Sequence, residues 1–182
     1  MQQNASDWIL YFSDEMRYGL ISNFRRSWSK VGERAVLPQQ ISYENKYLFS
    51  AVNPTSGKSF HLLGFPDMNS DIAYVFLTQL KEKHPNQHVF VVWDNAPTHR
   101  PVALKEIPGL SIIFLPSYSP ELNPTERFFE EMRRKTANQI FKSIDKQEEC
   151  ITKAINEWMD DEARMRQLLG YEWIKDQCRE VS

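Results

Sequence analysis

Three acidic side chains stand where the sequence changes character. Asp14 follows Trp8-Ile-Leu-Tyr-Phe12 after one serine, Asp94 directly follows Val89-Phe-Val-Val-Trp93, and Glu126 follows Asn123-Pro124-Thr125. The two apolar runs read as core strands. Strand ends in an α/β sheet are where side chains leave the core and converge on a crevice. A carboxylate at the end of a wholly apolar strand loses hydration, and a divalent cation offsets that cost. Mg2+ takes oxygen ligands, typically one or two carboxylates, with water and a substrate phosphate completing its shell. Each acid also has a purely local reading. Either aspartate can close a turn on its own backbone, as in Asp94-Asn-Ala-Pro97. Glu126 fits a capping box, with Asn123 as cap, Pro124 at the first helical position and Glu126 reaching back to the cap. Residue types and spacing leave both readings open.

The elements that would position these acids alternate along the chain. Trp8 to Phe12 predicts a strand that stops at Ser13-Asp14-Glu15, and residues 16–45 read as a long polar connection. Lys46–Val52 and Ser59–Phe65 read as a strand pair around Asn53-Pro-Thr-Ser-Gly57. A helix capped by Asn69 or Ser70 carries Ile72, Val75, Phe76 and Leu80, and ends near His84-Pro85. Val89–Trp93 lacks alternation, as a strand buried on both faces does. A short helix is expected around Pro101–Glu106, then a strand over Ser111–Leu115. Two helices follow, one with Phe128, Phe129 and Met132 on one side, and one from Asp145 with Ile151, Ala154, Ile155 and Trp158 as its apolar stripe. This order predicts an α/β layer with a mixed sheet.

Length and composition set the frame. At 182 residues, with 41% apolar and 25% charged residues, the chain suits one compact globular domain. No apolar run approaches the roughly 20 residues of a membrane span, and the start has no basic region leading into an apolar one. Cys150 and Cys178 fit a reducing compartment as inert thiols. The net charge of −2 hides an asymmetry. Arg17, Arg25, Arg26, Lys30 and Arg34 face only Glu33 between Met16 and Val36, whereas Asp145–Glu180 is acid-rich. A basic segment of this kind is either a phosphate-binding patch or a solvated face.

Three stretches carry a family resemblance. Phe12-Ser-Asp-Glu15, Trp93-Asp-Asn-Ala-Pro-Thr-His99 and Ser117-Tyr-Ser-Pro-Glu-Leu-Asn-Pro-Thr-Glu-Arg-Phe-Phe129 resemble the catalytic blocks of the mariner superfamily of transposases, in its prokaryotic insertion-sequence branch. The last is the most specific, since helix-capping rules alone do not produce it. Arg26-x-Trp28-x-Lys30-x-Gly32 is similar to a stretch the family carries after its first block. The resemblance spans roughly residues 8 to 158. It implies an RNase H-like α/β fold, a mixed central sheet flanked by helices, with Asp14, Asp94 and Glu126 as the catalytic and metal-binding triad. It also implies two Mg2+ (or Mn2+) ions that hydrolyse DNA at transposon ends and join the freed 3′-hydroxyl to target DNA. In-line displacement at a phosphodiester needs an activated attacking oxygen and a stabilised leaving oxygen, and two ions about 3.5–4 Å apart supply both.

On the same resemblance Asn95 and His99 orient the site or touch phosphate, with a helix-start or core role equally open for His99. DNA contact is expected from Arg25, Arg26, Trp28, Lys30 and Arg34, and from Arg133 and Arg134, unless that last pair is only the solvated face of a helix. Between Asp94 and Glu126 lie 31 residues, slightly short of the family's spacing, which makes Glu130 and Glu131 competitors for the third position. Only seven residues precede the first strand, so residues 1–182 are expected to form a single catalytic domain with no helix-turn-helix module ahead of it. Recognition of terminal inverted repeats would then fall to a helix-turn-helix partner chain from an upstream frame. A homodimer is compatible, a membrane role is not, and the expected location is the prokaryotic cytoplasm, on chromosomal DNA. Two alternatives stand beside this reading: an RNase H-like nuclease that does not transpose, and a catalytically idle DNA-binding relic.

Overall fold

The computed structural model describes residues 7–96, 99 and 106–174. Pro97, Thr98, most of the helix expected over Pro101–Glu106, and Cys178 lie outside the described residues. Five strands, β1 (Trp8–Gly19), β2 (Asn45–Val52), β3 (Ser59–Phe65), β4 (His88–Trp93) and β5 (Leu110–Phe114), form one sheet in the order β3-β2-β1-β4-β5. β1 pairs antiparallel with β2 and β2 with β3, whereas β1, β4 and β5 run parallel. Helix α1 (Ser70–Glu82) connects β3 to β4. A 3-10 turn at Pro120–Leu122 leads into α2 (Thr125–Thr136), followed by α3 (Ile144–Met159) and α4 (Glu162–Leu169). Among the described residues no helix is long and apolar enough to cross a membrane.

Each strand face has its own core. Period-two alternation sends Phe12, Met16, Leu48, Val52 and Val92 to one side, where Phe128, Phe129 and Met132 of α2, Ile151 and Trp158 of α3, and Leu169 of α4 cover them. It sends Tyr11, Phe49, Val91 and Trp93 to the other side, against Phe76, Leu77 and Leu80 of α1. Burying one such side chain stabilises the fold by roughly 1.5–3 kcal/mol. The α1 face differs from the expected one. Ala73 and Leu77 pack inward, while Val75 is exposed. Asn69 is the cap, accepting from the backbone N–H groups of Asp71 and Ile72.

The largest departure is β1, which does not stop at Phe12 but runs to Gly19. Its antiparallel ladder with β2 continues unbroken from Phe12↔Val52 to Gly19↔Asn45, and this pairing carries the polar residues Ser13, Asp14, Glu15 and Arg17 through the sheet. Ser13 is buried and satisfied by donating to the Ser50 carbonyl at 3.0 Å. Asp14 therefore sits within a strand rather than after one, and the long connection shrinks to residues 20–44.

Candidate active site

The sheet itself brings the two aspartates together. β1 and β4 pair in parallel from Trp8↔His88 to Phe12↔Val92, and then the ladder ends. Asp14 and Asp94 each stand two residues beyond that last pair. Alternation gives them the face of Phe12 and Val92, the side on which α2 packs. Glu126 lies in the first turn of α2. All three line one cavity of about 440 Å³, together with Asn95, Tyr118 and Asn123. Tyr118 is fully exposed at this cavity and holds a left-handed backbone, φ 61°.

Asn123 fastens α2 to β1 at this point. Its side-chain amide donates to the Ser13 carbonyl at 2.9 Å, with Asp14 Oδ2 at 3.4 Å, and its Oδ1 accepts from the Thr125 N–H at 3.1 Å. Thr125 donates its hydroxyl to the Phe12 carbonyl at 3.0 Å. Asn123 thus closes the helix start through the Thr125 N–H, but Pro124 stands at the N-cap position rather than at the first helical one, and the capping box does not form. The Asn123 N–H is taken by the Pro120 carbonyl, and the Glu126 carboxylate turns instead toward Arg133, 3.3 Å away.

Burial pushes the Asp14 carboxyl up to about 8, reinforced by the neighbouring charges of Glu15, Glu126 and Asp94. Asp94 behaves oppositely. A hydrogen bond with His99 holds it below the usual carboxylate range. Alternation puts Glu15 on the other face of β1 from Asp14, and its side chain is almost fully buried. His99 lies between the two acids, with Nδ1 2.6 Å from Asp94 Oδ1 and Nε2 3.2 Å from Glu15 Oε2. Burial opposes a charged imidazole, but the two carboxylates outweigh it and raise His99 to about 10. Burial raises the Glu15 carboxyl, against the pull of His99. His99 is 1% exposed and stacks on Trp93 at 4.1 Å between ring centroids, so of the roles open to it the structure favours orienting Asp94 from within the core. Glu15 carried no signal of its own in the sequence, where it reads as one more polar residue after a strand.

The cations expected to meet DNA divide into two sets. Arg25 pairs with Glu130 at 2.6 Å, Arg133 bridges Glu126 and Glu130, and Arg134 pairs with Glu131. Arg26, Lys30 and Arg34 are exposed, and Trp28 is fully so. Asn95 lines the cavity beside Asp94. The ion pairs hold Glu130 below its usual range, Arg25 contributing most, and Glu130 is not in the cavity wall.

Among the described residues no three carboxylates, imidazoles or thiols form a ready-made metal cage. The donor set nevertheless fits a hard divalent cation, because three carboxylates face one cavity and the charge of Asp14 is disfavoured without a positive partner. A cation there would complete its shell with water or a phosphate oxygen.

Several solved structures share the fold. The solved structures of the Mos1 strand transfer complex, of the Mos1 transposase paired-end complex with left transposon end and of the mariner Mos1 paired-end complex with Mg match with TM-scores of 0.64, 0.64 and 0.61 and identities of 20%, 20% and 24%. They cover 88–92% of this chain. The chain spans about half the length of the Mos1 chains, 50–54%. The shared fold is the RNase H-like one that the resemblance implied. An uncharacterised protein of Sinorhizobium fredii, y4pE/y4sA, is 33% identical over 101 residues, which make up 54% of this chain and 74% of that protein. Residues 9–150 match the family model described as DDE superfamily endonuclease, and the chain belongs to that family.

Proposed function

We propose that this chain is the catalytic part of an insertion-sequence transposase, cutting DNA at transposon ends and joining the 3′-hydroxyl to target DNA. One observation carries the reading: Asp14, Asp94 and Glu126, from two adjacent strands and a helix, line a single cavity. In this reading the three carboxylates hold two Mg2+ or Mn2+ ions, in line with the Mos1 mariner paired-end complexes solved with Mn and with Mg. Ions bound there supply Lewis acidity to the attacking and leaving oxygens. The protein's own part is to fix the carboxylates and lead the phosphodiester to them. Cleavage breaks the P–O bond as a water oxygen attacks phosphorus. Joining repeats the displacement with the 3′-hydroxyl as nucleophile.

The partners follow from the same reading. Arg26, Trp28, Lys30 and Arg34 meet the phosphates and an exposed base or sugar, while recognition of the inverted repeats comes from a helix-turn-helix partner chain or a fusion to one, and the chain acts as a homodimer. The test is nicking of supercoiled DNA with Mg2+ or Mn2+, run beside thermal denaturation. Asp14→Asn, Asp94→Asn and Glu126→Gln should each lower cleavage by orders of magnitude while the chain still folds. Glu130→Gln should retain most activity. Cleavage that persists without divalent ions, or in all three triad variants, overturns the reading. Stability should change by well under about 1 kcal/mol in Glu126→Gln, since among the described residues its carboxylate pairs with a partly exposed arginine, Arg133.

A further inference from the structure

We propose that Glu15 and His99 form a buried brace that orients the Asp94 carboxylate for cation binding, so that two residues outside the acidic triad set the metal affinity of the site. The proposal rests on the reading of Asp94 as a cation ligand. Asp94 follows the last residue of β4, and its side chain is 51% exposed, a setting in which a carboxylate ordinarily turns freely. Two donors stop it: Nδ1 of His99 at 2.6 Å and the backbone N–H of Ala96 at 3.2 Å. Among the described residues both contacts fall on Oδ1, which leaves Oδ2 for a ligand in the cavity.

The imidazole is immobilised in turn. It is buried, stacked on the Trp93 indole, and has its second nitrogen 3.2 Å from Glu15 Oε2. Glu15 is itself held in the ladder opposite Phe49 and buried on the α1 side of the sheet. The chain of contacts therefore runs from the rigid interior of β1, through an aromatic stack, to one oxygen in the cavity wall. An apolar pair of equal volume would stabilise the interior at least as well, so stability alone does not account for an acid and an imidazole here. Orientation of a ligand does. Outer partners of metal-binding side chains typically govern metal affinity by 10–100-fold.

Glu15 and His99 are positioning residues, and the test reads cation binding rather than turnover. Mn2+ is titrated into the protein and followed by electron paramagnetic resonance, beside thermal denaturation of the cation-free chain. His99→Leu fills the space with no donor, whereas His99→Asn keeps an amide N–H near the Nδ1 position. The expected result is a loss of Mn2+ affinity of about 10–100-fold in His99→Leu, with most of it recovered in His99→Asn. Glu15→Gln should lose several-fold, and its melting temperature should fall because the buried imidazole loses one of its two acids. Wild-type affinity in a folded His99→Leu overturns the brace. If that variant does not fold, wild-type affinity in Glu15→Gln overturns it instead. A wild-type chain that takes up no Mn2+, with or without duplex DNA, overturns the cation-ligand reading and the brace together.

Discussion

Asp14 carries the strongest electrostatic consequence of a single side chain. Its carboxyl is raised to about 8 from a value near 3.8, first by burial and then by three neighbouring acids. A group raised on folding binds protons in the native state that the unfolded chain releases, so stability falls as pH rises between the two values. For Asp14 that window runs from about 4 to about 8. His99, raised to about 10, acts in the same sense over a higher range, with its contribution complete below about 6.5 and lost as pH climbs through about 10. The cation-free chain should therefore melt lower at pH 9 than at pH 6. Asp14→Asn should flatten the lower part of that slope and raise the melting temperature at about pH 8 by 2–4 °C or more, the equivalent of about 1 kcal/mol. Saturating Mg2+ should offset the same penalty in the wild type, because it binds the native state alone. Thermal denaturation across pH, with and without Mg2+, checks all three outcomes.

At the scale of elements, the junction of β1 with α2 is what brings Glu126 to the aspartates. Asn123 serves two purposes there, closing the helix start through Oδ1 and bonding the Ser13 carbonyl through its amide. Asn123→Ala removes the cap and orphans a buried carbonyl, at a cost of about 2–3 kcal/mol. Asn123→Asp keeps the cap but sets a second carboxylate against Asp14, so it should lose metal-free stability as well. Urea denaturation of both variants measures this. The local devices here were legible in the sequence only in part. The Asn69 cap, the β2–β3 pair and the stripe of α3 follow from short-range pattern, and they appear where pattern puts them. The extension of β1 did not, because Ser13, Asp14, Glu15 and Arg17 are polar and are held as strand by β2, thirty or more positions away. The capping box failed for a similar reason, since the preceding 3-10 turn had already claimed the Asn123 N–H. The Glu15–His99 contact joins residues 84 positions apart, which no local spacing announces.

For the whole molecule, the separation of charge and fold sets how DNA is held. Arg25 and Arg133 are spent on Glu130, while Arg26 and Lys30 stand exposed on the connection between β1 and β2. Removing Arg26 and Lys30 together should weaken duplex binding at every sequence alike and lower the salt-dependence slope by roughly two. Melting temperature should stay within about 1 °C, since exposed charges contribute little to folding. Fluorescence anisotropy over a salt series, with an Arg25→Ala control of smaller effect, makes the comparison. Among the described residues the same connection is tied down at its roots. Leu20 and Ser22 bond Glu44 and Gln40, Asn138 clasps Asn23 and Arg25, and Gln40 bonds Phe141. The bonds of Leu20 to Glu44 and of Ser22 to Gln40 bring the two ends of the connection together, and most of the residues between Arg26 and Gln39 are exposed. This stretch is an interchangeable cassette: residues there can be traded, lengthened or pruned at little entropic cost to closure, so the reach of the molecule over its substrate can drift in evolution, or be rebuilt by design, while the sheet and its acids stay as they are.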